Sequence, residues 1–146
     1  MTLSSKRSAP FIAMAVAGLI GQASAETNRE QKPGLSIELS TAEEAPDACR
    51  LSFVVSNALG TSIEQAVFET VLFDAKGQVS QLTLLDFQDL PAGRLRVRQF
   101  QFPQLCSDIS RVLINGASTC QGEGIAQGAC SDNLRLLSRE KMELAG

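Results

Sequence analysis

The chain has 146 residues and a formal net charge of −3, with 13 basic and 16 acidic side chains and no His, Tyr or Trp. Without imidazole it lacks the commonest general base and proton shuttle, and with them the usual serine and cysteine nucleophile arrangements. The length suits one core, and acidity, with Phe residues set in strand-like positions and not among basic ones, argues against nucleic acid as a partner.

Lys6 and Arg7 precede an uncharged stretch from Ala9 to Ile20, and Ala23-Ser24-Ala25 follows just before the first acid, Glu26. That order of charged, apolar and small residues predicts a signal peptide over residues 1–25, cleaved after Ala25. The apolar run is about a dozen residues against the roughly 20 of a membrane-crossing helix, so no membrane span is expected once the signal is removed. What remains carries 11 of the 13 basic groups and all 16 acids, a formal −5. Ser5-Lys6-Arg7-Ser8 is one substitution short of a twin-arginine pattern, and Lys in first place favours the ordinary unfolded-chain route of export.

Residues 26–33 are polar and patternless and read as a solvated tail, leaving 34–146 as one domain. Leu35, Ile37 and Leu39 alternate with Ser36, Glu38 and Ser40, the period-two mark of a half-buried strand. The acidic stretch 41–48, with Pro46, reads as a loop, and Leu51, Phe53 and Val55 form a second strand that ends at Asn57 to Gly60. Ile63 to Phe73 also fits a helical face, with Ser62 as cap and Gln65 closing a capping box. The β-branched and aromatic run Val67 to Phe73 favours a third strand, and Asp74-Ala75-Lys76-Gly77 is a hairpin turn. Val79 to Phe87 returns as its partner, and Leu90-Pro91-Ala92-Gly93 turns the chain again. In the fifth segment, Arg94 to Phe102, Leu95 and Val97 share one phase while Phe100 and Phe102 share the other, which predicts a bulge near Arg98 or Gln99. Ile109 to Ile114 is a sixth strand, Asn115 to Ala129 is Gly-rich and polar, and Leu134 to Met142 closes the fold as a strand or a helix. Seven short segments at intervals of 8 to 15 residues predict an all-β, seven-stranded antiparallel sandwich of two sheets.

Four cysteines in an exported chain are expected to be oxidised, in one of three pairings. If the strands alternate in direction, the second and sixth run the same way, and Cys49 and Cys106, each just before one of them, share one end of the sandwich. Pairing Cys49 with Cys120 would span a strand length of roughly 20 Å, beyond disulfide reach. The prediction is therefore Cys49–Cys106 and Cys120–Cys130. The closest spacing has nine residues between cysteines, which fits neither a redox pair nor a four-thiolate zinc site, so no metal or other cofactor is expected.

Arg94, Arg96 and Arg98 form a basic stripe on one side of a strand, a candidate site for an anionic ligand or partner. The preferred reading is a solvent-facing edge whose charges discourage strand pairing and are offset by Glu69, Asp86 or Asp89. Glu43, Glu44 and Asp47 crowd one segment and are candidate oxygen ligands for Ca²⁺, although a solvated loop is the commoner use. Gly122-Glu123-Gly124 lacks the third glycine and preceding buried strand of a phosphate cradle.

Leu72-Phe73-Asp74-Ala75-Lys76-Gly77 followed by Leu90-Pro91-Ala92-Gly93 resembles the hairpin and Pro-x-Gly turn of small exported bacterial immunoglobulin-like domains. With Cys49-Arg50 opening a strand and Arg111-Val112-Leu113-Ile114-Asn115 near the last cysteines, the chain is similar over residues 35–130 to uncharacterised exported Gram-negative proteins, often labelled by a twin-arginine signal. The resemblance implies an immunoglobulin-like sandwich and brings no active site with it. The expected function is a non-enzymatic periplasmic domain that binds another envelope protein or stabilises an assembly. The competing classes are a carboxylate-based enzyme or inhibitor, which needs converging acids among Glu43, Glu44, Asp47 or Asp86, and a small-ligand or lipid carrier with an apolar cavity between its sheets.

Overall fold

The structure, a computed structural model, describes residue 2 and residues 32–146. The predicted cleavage site and residues 26–31 of the predicted tail lie outside the described residues, as does nearly all of the predicted signal.

Eight strands carry the fold: β1 (Leu35–Ala45), β2 (Ala48–Asn57), β3 (Ile63–Asp74), β4 (Val79–Leu90), β5 (Leu95–Phe102), β6 (Ile109–Gln121), β7 (Arg135–Ser138) and β8 (Glu143–Ala145). A single 3₁₀ turn at Cys106–Asp108 leads into β6, and no α-helix occurs among the described residues. One sheet has the order β5-β2-β1-β7 and the other β4-β3-β6-β8. This is the immunoglobulin-like two-sheet sandwich that was expected, with eight strands in place of seven.

The extra strand comes from the C-terminal segment, which was expected to close the fold as one element. Ser138 Oγ accepts from the Glu140 N–H at 3.1 Å and donates to the Met142 carbonyl at 2.6 Å, folding a turn that breaks the segment in two. Its first half pairs with β1 and its second with β6, both in parallel, so one short strand closes an edge of each sheet. The sandwich is therefore antiparallel except along these two outer ladders.

Two other boundaries shift for tertiary reasons. The acidic stretch after residue 40 is not a loop: β1 continues to Ala45 and meets β2 through Pro46 and Asp47, with Asp47 at φ 54°. β6 runs past Ile114 to Gln121 because β3 offers it a partner from Gln65 to Asp74. Its register against β3 slips three times, leaving Ser110, Asn115 and Ser118 unmatched, so bulges at polar residues absorb the mismatch.

Alternation places Leu35, Ile37 and Leu39 of β1, Leu51, Phe53 and Val55 of β2, and Phe68 and Leu72 of β3 in the core. Phe87 of β4 is fully buried, with its ring centroid 5.7 Å from Phe53, 5.5 Å from Phe68 and 5.1 Å from Phe100. It thereby joins both sheets through aromatic contacts worth roughly 0.5–1.5 kcal/mol each beyond burial.

The alternating strand directions hold, and so do the cysteine pairings derived from them. Cys49 at the start of β2 is bonded to Cys106 with Cα atoms 4.8 Å apart, and Cys120 near the end of β6 is bonded to Cys130 at 5.9 Å.

Candidate interaction surface

The basic stripe is not a solvent-facing row. β5 pairs with β2 from Ser56↔Leu95 to Cys49↔Phe102 without a register shift, so the predicted bulge is absent. An unbroken strand can turn only one phase inward, and the two phenylalanines take it: Phe102 is buried, and Phe100 packs on Phe53 and Phe87. Arg96 and Arg98 share that phase and point into the rim between the sheets, while Leu95 and Val97 face solvent.

At the rim the arginines reach across to β4. Arg98 Nε donates to the Phe87 carbonyl oxygen at 2.6 Å, and its Nη2 donates to the Asp89 carbonyl at 3.0 Å and to Asp89 Oδ1 at 3.1 Å. Arg96 Nη2 donates to Asp89 Oδ2 at 3.2 Å. The Arg98 side chain is 15% exposed and that of Arg96 28%. Of the three acids expected to offset the stripe, only Asp89 meets it. Asp86 accepts from Gln65 and from the Gln88 N–H, and Glu69 accepts from Asn115. Arg94 lies in the turn before β5, exposed, with its N–H donating to the Pro91 carbonyl at 3.3 Å.

Among the described residues, five of the seven exposed large apolar side chains lie on the two strands that these arginines join, the others being Leu105 and Leu137. Val79, Leu82 and Leu84 of β4 and Leu95 and Val97 of β5 are each 57–67% exposed. β4 and β5 are edge strands, one in each sheet. Sequence reading missed the outward Leu95 and Val97 because it let both phases of the segment turn inward across a bulge. The burial demand of two Phe residues in the competing phase was the available signal.

The acids singled out as ligands or catalysts do not converge. Glu43 faces Arg50 across the β1–β2 hairpin at 3.8 Å, and Asp47 sits in the turn. Asp86 is on β4, and Glu44 accepts from the Ser107 N–H at 3.3 Å. Glu44 and Glu140 line an open cleft of about 550 Å³, together with Ala42, Cys106, Ile109 and Met142. Glu140 Oε1 accepts from the Ala42 N–H at 3.1 Å, so a main-chain N–H engages each of the two carboxylates. Phe53, Phe68 and Phe87 fill the space between the sheets where a carrier would need its cavity.

No family model and no curated protein matches the chain. Among solved structures, IrmA from Escherichia coli is similar at 13% sequence identity and a TM-score of 0.56, over 75% of this chain and 93% of that one. At that identity the likeness is one of fold. No helix among the described residues is long and apolar enough to cross a membrane.

Proposed function

We propose that this chain is a non-enzymatic, exported periplasmic domain that binds another envelope protein through the outer face of β5. The observation that carries the reading is the Leu95–Val97 row, more than half exposed on a strand that Arg96 and Arg98 anchor from behind. Such residues gain by being covered, at roughly 25 cal/mol per Å² of apolar surface removed from water. An anchored strand also loses little conformational freedom on binding.

The two disulfides fit an oxidising compartment, as does the signal pattern read from residues 1–25. Of Glu43, Glu44, Asp47 and Asp86, only Glu44 lines the open cleft, which supports a binding role over a carboxylate enzyme.

The test is capture from a periplasmic extract by the wild-type protein and by Leu95→Glu/Val97→Glu. A reproducible partner that the variant fails to hold supports the reading. Capture of nothing reproducible, or of the same partner by the variant, overturns it.

A further inference from the structure

The four edge strands are protected unequally. β7 and β8 are four and three residues long, and β5 directs two arginines into the rim. These are common ways of blunting a free strand edge. β4 is 12 residues long, and Val79 to Leu85 carries no charge and no proline. Ser80 is unmatched in the ladder with β3 near its N-terminal end, and the stronger protection lies at its C-terminal end. There Phe87 is left unmatched in the ladder with β3, Gln88 has φ 60°, and Arg98 caps the carbonyls of Phe87 and Asp89. Seven residues of strand are left with one hydrogen-bonding edge facing solvent, and Val79, Leu82 and Leu84 stand exposed beside it.

We propose that Val79–Leu85 is a self-association edge, on which β4 of a second copy of this chain pairs antiparallel about a two-fold axis near Gln81 and Leu82. Self-pairing suits this segment because its uncharged run sets no like charges opposite each other in an acidic chain. The two-fold arrangement also brings the Asp74–Gln78 hairpin of one copy beside the C-terminal end of β4 in the other. There exposed Lys76 meets the exposed Asp86 of the second copy, and symmetry makes the contact twice. The cap that Arg98 places on Phe87 and Asp89 limits the pairing to the open stretch, so the association closes as a dimer and the outer row of β5 stays free.

The inference rests on reading the outward apolar rows as contact surfaces, as in the proposed function, but it does not depend on any other envelope protein. The experiment is sedimentation equilibrium of the oxidised protein at increasing concentration. The wild type is expected to reach twice the monomer mass, Leu82→Lys to remain monomeric, and Leu95→Lys to dimerise as the wild type does. Lys76→Glu is expected to weaken the dimer roughly three- to tenfold, and adding Asp86→Lys to restore it. Circular dichroism checks that each variant is folded, and substitution at these exposed positions is expected to leave the spectrum unchanged. A wild type that stays monomeric at every concentration overturns the proposal. So does dimerisation of Leu82→Lys, loss of the dimer in Leu95→Lys, or failure of Asp86→Lys to rescue. A dimer that captures no envelope protein would sink the proposed function and leave this inference standing.

Discussion

Arg98 of β5 donates from Nε to the carbonyl oxygen of Phe87 on β4 at 2.6 Å, across the rim between two sheets that share no strand ladder. The bond places a permanent cation against main-chain oxygens that would otherwise lie on an open edge. It joins the strand carrying Phe100 to the strand carrying Phe87, whose rings are in contact. The arginine pair is therefore part of how the sandwich holds its two sheets together.

Arg98→Met keeps much of the aliphatic stem and removes the guanidinium. It is expected to cost about 1.5–3 kcal/mol in chemical denaturation, the range for hydrogen bonds to a charged donor. The contact with half-exposed Asp89 adds little to that figure. Arg94→Gln, outside the rim, is expected to stay within about 0.5 kcal/mol of the wild type. Equal effects of the two substitutions would contradict the structural role of Arg98.

The two disulfides are expected to differ in weight. Cys49–Cys106 closes a separation of 57 residues and Cys120–Cys130 one of 10. On the chain-entropy account these correspond to roughly 4 and 3 kcal/mol. Cys49→Ala/Cys106→Ala also opens space at fully buried Cys49. Urea denaturation of the two double variants is expected to show the larger loss for the 49–106 pair. Non-reducing digestion of the wild type should yield one fragment joining Cys49 to Cys106 and no free thiol.

Much of this architecture was legible before the structure. Period-two runs at Leu35–Leu39 and Leu51–Val55 marked two core strands, and strand direction alone paired the cysteines. What escaped was set by partners distant in sequence. Leu95, Val97, Phe100 and Phe102 are all apolar, and only Phe53 and Phe87 on neighbouring strands decide which phase is buried. Asn115 to Gln121 has weak strand character and becomes β6 because β3 is there to pair with it. The turn at Ser138 that splits the C-terminus depends on two hydrogen bonds with no sequence signature of their own. Arg94, Arg96 and Arg98 read in the sequence as one solvent-facing stripe, and the structure turns Arg96 and Arg98 into the rim, because period two gives no sign of the direction in which a charged row points when its neighbours are mixed.

Asn57 read in the sequence as the break after the second strand, and it has a second role. Its side chain is buried and fully used: Nδ2 donates to the Thr61 and Leu90 carbonyls, both at 2.8 Å, and Oδ1 accepts from the Leu59 N–H at 2.9 Å. It ties the β2–β3 connection to the end of β4. Asn57→Ala leaves these main-chain groups without their partner and is expected to cost about 2–4 kcal/mol. Asn57→Asp should be worse near neutral pH, because a carboxylate would face two carbonyl oxygens with no proton to give. Thermal melts of the two variants decide the order, and a milder Asn57→Asp would contradict the geometry.

Thr70 presents the opposite case, a buried polar group that gains little from its surroundings. It lies on the core side of β3, completely buried, between Phe68 and Leu72, and its hydroxyl reaches only the Phe68 carbonyl at 3.4 Å. A hydroxyl taken out of water costs free energy unless a good hydrogen bond compensates, and a contact at that distance is a weak one. Valine has nearly the same shape and the same preference for strands. Thr70→Val is therefore expected to leave the fold unchanged and to raise stability by up to about 1 kcal/mol, read as a higher urea midpoint at constant slope. A loss of more than about 1 kcal/mol would mean that the hydroxyl makes a stronger bond than its geometry allows.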